Sequence, residues 1–170
     1  MRGLLAPALL AALAACAGQA QAADVVRHKG EGNSIILQGV TVPAGREMLY
    51  LSGQLASPID PAQPATTVEA FGDTRIQAIS TFEKIKALLA AQGCTMGDVV
   101  KLTVFVVGDP KLGGKMDFAG FNEAYKLYFG MAEQPNLVAR STVQVAALAA
   151  PMFLIEIEAT AVKPLKRAKR

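Results

Sequence analysis

Residues Val99 to Val107 read Val-Val-Lys-Leu-Thr-Val-Phe-Val-Val, an almost unbroken apolar and β-branched run. Nine residues are too few to cross a hydrocarbon core of about 30 Å as a helix, and β-branched side chains suit a pleated strand. The run predicts a central strand buried on both faces, so the chain must supply cover on either side of it. One cover is legible. Asp73 opens a predicted helix in which Ile76, Ile79, Phe82, Ile85 and Leu89 recur at helical spacing, with Arg75, Glu83, Lys84 and Lys86 on other faces and Gly93 as its stop. After a loop at 108–114, Phe118, Phe121, Ala124, Tyr125, Tyr128 and Phe129 mark a second helix.

Strands are predicted at both ends of the chain. Residues 24–34 are polar and read as a loose start, and 34–42 reads as a strand. Pro43-Ala44-Gly45-Arg46 is a turn, and Met48 to Gly53 is the returning strand of a hairpin. A Pro/Thr/Ala-rich loop follows, from Ser57 to Thr67. Ala139 to Ala147 and Phe153 to Val162 close the chain; in the last strand Ile155, Ile157, Ala159 and Ala161 face one way, Glu156 and Glu158 the other. The order ββαβαββ argues an α+β fold, a mixed sheet with both helices on one face, in a single domain over 23–162. The other face of that sheet is left without a cover.

Charge divides the chain. All 14 acidic side chains but only 11 of the 17 basic ones lie within 23–162, so the body is mildly acidic. The excess sits in a basic tail, 163–170, with Lys163, Lys166, Arg167, Lys169 and Arg170. The domain therefore carries no nucleic-acid footprint. Met1-Arg2-Gly3, an apolar stretch from Leu4 to Ala15 and the Ala20-Gln21-Ala22 pattern read as an export signal over 1–22, too short to span a membrane. Leu13-Ala14-Ala15-Cys16 offers a competing route, a lipoprotein signal over 1–15 with Cys16 lipidated. The expected location is periplasmic or secreted, or membrane-anchored if Cys16 is used. Cys94 is then the one thiol of the body, with nothing basic beside it to activate it.

Phosphate-loop, dinucleotide and nucleophile-elbow strings are absent, and His28, the single histidine, lies in the polar opening segment. A histidine triad and a zinc site are accordingly not expected. What remains is a pairing of charges. Arg140 interrupts an otherwise apolar strand, where a guanidinium needs a carboxylate. It either bridges internally to Glu156 or Glu158, or holds a ligand's carboxylate while a glutamate moves a proton nearby.

Val138-Ala139-Arg140-Ser141-Thr142-Val143-Gln144-Val145, followed by Ile155-Glu156-Ile157-Glu158-Ala159, resembles the closing signature of the RidA (YjgF-type) family of enamine/imine deaminases. Leu37-Gln38-Gly39-Val40, Leu51-Ser52-Gly53-Gln54, Gly97-Asp98-Val99-Val100-Lys101 and Phe121-Asn122-x-x-Tyr125 extend the likeness across 34–162. The resemblance implies a chorismate-mutase-like fold, a homotrimer whose sheets face inward, and ligand clefts between subunits. It assigns Arg140 to the substrate carboxylate and Glu156 to the attacking water. Ser52, Gly53 and Thr142 become pocket residues, with Asn122 and Tyr125 close to the cleft. Ile36 stands where many members carry tyrosine, and the loop at 108–117 is longer than usual. The implied activity is hydrolysis of 2-imino acids such as 2-iminopropanoate and 2-iminobutanoate, formed from enamines such as 2-aminoacrylate, to 2-oxo acids and ammonia without metal or cofactor. The competing class is a non-catalytic exported trimer that binds small carboxylates or holds unfolded clients.

Overall fold

The computed structural model describes residues 24–165. The expected signal over 1–22, Cys16 and the last five tail residues lie outside that range. Six strands and two helices alternate as β1 (Val26–Lys29), β2 (Leu37–Thr41), β3 (Met48–Leu55), α1 (Thr74–Ala91), β4 (Val99–Val107), α2 (Phe118–Tyr125), β5 (Ala139–Val145) and β6 (Ile155–Val162). They form one mixed sheet in the order β1-β2-β5-β4-β6-β3. β4 lies inside it, parallel to β5 and antiparallel to β6.

α1 begins where Asp73 accepts the Ile76 amide at 2.8 Å and ends before Gly93 at φ +74°. Its buried stripe is Ala78, Phe82, Ile85 and Leu89 with Thr74, Gln77 and Thr81, whereas Ile76 is exposed. Phe82 meets Phe121 and Phe129 at ring-centroid distances of 6.3 and 5.8 Å. The core is closed from below by Leu102, Val104 and Val106 of β4 and by Ile155, Ile157, Ala159 and Ala161 of β6. Both helices thus cover one face, as the pattern predicted.

Four expectations need correction. The segment 24–34 contains a strand, β1, paired with β2, so the order is βββαβαββ. Arg27 fastens β1 by donating to the carbonyls of Gly97, Val99 and Leu137 at 2.8, 3.0 and 2.7 Å. β2 and β3 are not a hairpin: β2 pairs with β1 and β5, and β3 with β6. Both run parallel to β4, a direction that forbids hairpin pairing, and the Pro-Ala-Gly turn specifies a reversal but not a partner. β4 is buried on one face only, because Lys101, Thr103, Phe105 and Val107 are half-buried on the other. Finally, α2 stops at Tyr125, and Tyr128 and Phe129 pack from the turns beyond it.

The lead into β6 is held by a buried amide. Gln77 donates through Nε2 to the carbonyls of Gly72 and Met152, both at 3.0 Å, and accepts the Leu154 amide at 2.9 Å. Replacing Gln77 by Leu strands three backbone groups, and we expect a loss of about 3 kcal/mol in unfolding free energy by urea titration. A change below about 1 kcal/mol would show that water reaches those groups.

Candidate functional site

Register between strands decides which side chains meet. Residues opposite one another in a ladder point to the same face. Leu102 faces Arg140, Val104 faces Thr142 and Val106 faces Gln144, so this row of β5 lies on the helix side. Phe105 faces Glu156 and Thr103 faces Glu158, so both glutamates lie on the open side. Arg140 and the glutamates are therefore on opposite faces of one sheet, and the internal bridge is ruled out within a chain.

The helix-side half is a half-buried cation under an aromatic roof. Phe118, Phe121, Asn122 and Tyr125 recur at i, i+3, i+4 and i+7 and form one face of α2. The guanidinium carbon of Arg140 lies 4.6 Å from the ring centre of Tyr125, 4.8 Å from Phe121 and 5.7 Å from Phe118. Nη2 donates to Asn122 Oδ1 at 2.8 Å. Nη1 is buried without a partner, and so is Thr142 Oγ1, two residues along the same row. Burial draws the Arg140 pKa downward while Tyr125 opposes it, and burial pushes the Tyr125 hydroxyl upward. Arginine stays charged regardless, so a cation with one open donor pair is held beside an open hydroxyl. Ile36 is partly buried against the core.

The open-side half centres on a β-bulge. The β3–β6 register shifts between Leu51 and Gln54, leaving Ser52 and Gly53 out of the regular ladder. Glu156 lies over Gly53 so closely that a Cβ there would overlap its carboxylate. Ser52 shares a cavity of about 280 Å³ with Tyr50, Lys101, Thr103, Glu158 and Thr160. A larger cavity, about 860 Å³, lies elsewhere, between the C-terminal end of α1 and residues 127–136, and holds none of the predicted site residues. Size is the weaker guide here, since Arg140 Nη1 and Thr142 Oγ1 are buried without partners outside that cavity.

The other candidates are quiet. His28 is exposed and hydrogen-bonds Thr41 Oγ1 at 2.8 Å. Cys94 is buried, which raises its thiol pKa. Among the described residues no three His, Cys, Asp or Glu side chains gather as a metal site, and no helix is long and apolar enough to cross a membrane. Sequence reading did not single out Phe118 and Phe121 as part of the site, although their spacing with Asn122 and Tyr125 is the available signal. It also missed Arg27 and Gln144, for which no local pattern exists.

A mixed six-stranded sheet with two helices on one face places the protein among α+β domains of chorismate-mutase-like fold. More narrowly, the chain belongs to the Endoribonuclease L-PSP family, also called RidA or YjgF, whose sequence model matches residues 38–163. DfrA of Myxococcus xanthus is 42% identical over 125 residues, covering 74% of this chain and 82% of that protein. TdcF of Escherichia coli, named as a reactive intermediate deaminase, is 38% identical over 127 residues, covering 75% and 85%. The crystal structure of TdcF with bound serine superposes with a TM-score of 0.53 at 35% identity, over 81% of this chain and 94% of that one.

A half-buried cation with an open donor is a burden on the fold. Exchanging Arg140 for the similarly sized, apolar Met should leave the unfolding free energy unchanged or raise it by about 1 kcal/mol. A loss of more than about 2 kcal/mol in urea would assign Arg140 to holding the fold instead.

Proposed function

We propose that the protein hydrolyses short 2-imino acids to 2-oxo acids and ammonia at sites shared between subunits of a homotrimer. One observation carries the reading: Arg140 and Thr142 keep buried polar atoms open on one face, while Glu156 rests on Gly53 on the opposite face. Two half-sites on opposite faces of one sheet serve a single ligand only when a second copy brings its open face to the first copy's Arg140. Family membership and the deaminase name of TdcF support the reaction class, and the serine bound in the TdcF structure supports a small carboxylate ligand.

The chemistry follows from these groups. Arg140 Nη1 and Nη2 form a fork that fixes the carboxylate, with Asn122 holding the fork's orientation. The fork's charge beside C2 makes the imine carbon more electrophilic. Water adds to that carbon as Glu156 of the neighbouring copy takes its proton and passes it to the nitrogen. The hydroxyl proton of the resulting carbinolamine then moves to nitrogen, again by way of Glu156, as the C–N bond breaks and the C=O bond forms, releasing ammonia and leaving the 2-oxo acid. Thr142 Oγ1 is placed to hydrogen-bond the substituent at C2. We place this activity outside the cytoplasm, on the strength of the signal-like residues 1–22.

The test uses the mature chain and imines generated in situ. Arg140→Ala should lower kcat/KM at least about 100-fold, and Arg140→Lys about tenfold, since a point charge lacks the fork. Arg140→Ala and Glu156→Ala subunits mixed before assembly should regain activity, because about a quarter of interfaces then carry both intact residues. Unchanged turnover in Arg140→Ala overturns the assignment, and a mixture without recovery overturns the shared site. Aggregation suppression that persists in Arg140→Ala, with no wild-type turnover, would instead identify a holdase.

A further inference from the structure

The row Arg140, Thr142, Gln144 changes character at its third member. Successive members stand about 6.7 Å apart along β5. The first two offer buried atoms without partners, Arg140 Nη1 and Thr142 Oγ1. Gln144 spends both ends of its amide: Nε2 donates to the Gly114 carbonyl and Oε1 accepts the Met116 amide, each at 2.9 Å. Both partners belong to the segment 108–116, between β4 and α2.

That segment is closed on itself. Asp109 and Lys115 pair as an isolated bridge, Asp109 Oδ1 accepts the Lys111 amide at 2.8 Å, and Gly113 and Gly114 turn the chain with φ of +67° and +78°. Gly108 passes so near the Gly114 carbonyl that a Cβ would collide with it. Directly beyond, Asp117 accepts the Gly120 amide at 2.8 Å and starts α2, bringing Phe118 over Arg140. One continuous stretch therefore runs from the Gln144 end of the row to the roof of the guanidinium.

We infer that loop 108–116, pinned by Gln144, is the end wall of the Arg140 site and limits the length of the acid it accepts. The inference rests on the deaminase reading. A 2-imino or 2-oxo acid with its carboxylate on Arg140 and its C2 heteroatom near Thr142 extends along β5 toward that wall. Three- and four-carbon acids end short of Gln144, whereas a branched six-carbon acid meets the loop. Gln144 determines specificity by holding the wall and takes no part in the chemistry.

The experiment compares imines made in situ from alanine and from leucine. In Gln144→Ala the ratio of kcat/KM for the leucine-derived over the alanine-derived imine should rise about tenfold, within the range that a few methylenes command in a pocket. Gln144 is exposed, and the isosteric Gln144→Met serves as a second variant should the first fold poorly. Competition binding of pyruvate against 4-methyl-2-oxopentanoate gives the same ratio without turnover and should shift in the same direction. A ratio within twofold of wild type, or an equal fall for both substrates, overturns the wall while leaving the deaminase reading standing. A wild type that turns over no imine and binds no 2-oxo acid through Arg140 overturns both.

Discussion

β4 is hydrogen-bonded on both edges, and its two ladders set everything that matters about the site. The parallel ladder sends Arg140 and Thr142 to the helix side by pairing them with Leu102 and Val104. The antiparallel ladder sends Glu156 and Glu158 to the open side by pairing them with Phe105 and Thr103. A slip of one residue in the antiparallel ladder would drive a glutamate into the core beneath α1 and expose Ile155 and Ile157, and one in the parallel ladder would turn Arg140 and Thr142 to the open side. The cost of that exchange protects the register. Separation of the acid from the base thus follows from hydrophobic burial, with no polar contact needed to enforce it.

The same logic explains what was legible beforehand. β4, α1 and the alternation of β6 depend on the chain's own period, which a single segment displays. Arg140 was legible as an anomaly, a guanidinium in an apolar strand. Its relation to Glu156 was not, because the parity of one strand against another depends on register, and register is a property of the assembled sheet. The expected β2–β3 hairpin failed for a related reason: Pro43 to Arg46 reverses the chain, but strand direction across the whole sheet chooses the partner. β1 was missed because its polar, half-exposed residues lack alternation, and Arg27 anchors it through backbone carbonyls that no side-chain pattern foretells.

Partial burial of Arg140 without a carboxylate is tolerable because three rings of α2 pack against it. Cation–π attraction with Phe118, Phe121 and Tyr125 is worth about 0.5–2 kcal/mol for each well-placed ring, and Asn122 supplies one hydrogen bond. Neither contact satisfies Nη1. The arrangement keeps the guanidinium charged, fixed in orientation and short of one partner, the condition in which an incoming carboxylate gains most. Aromatic residues do this better than an internal glutamate would, since a paired acid would hold the cation and compete with the ligand.

The two faces of the sheet then present complementary deficits. On the helix side, polar atoms are buried without partners. On the open side, apolar atoms are left uncovered: Val143 and Tyr50 are 46% and 74% exposed, beside a half-buried Phe105. The described residues relieve neither, for their helices already occupy one face and they hold no further layer for the other. An open face set against the β5 side of an identical neighbour addresses both at once, covering apolar surface and bringing Glu156 toward Arg140. Assembly and site completion would then be one event, with the hydrophobic surface supplying the affinity and the bulge at Ser52 and Gly53 supplying the room for Glu156. On this view the half-buried open face of β4 would be the mark of a layer that another copy provides.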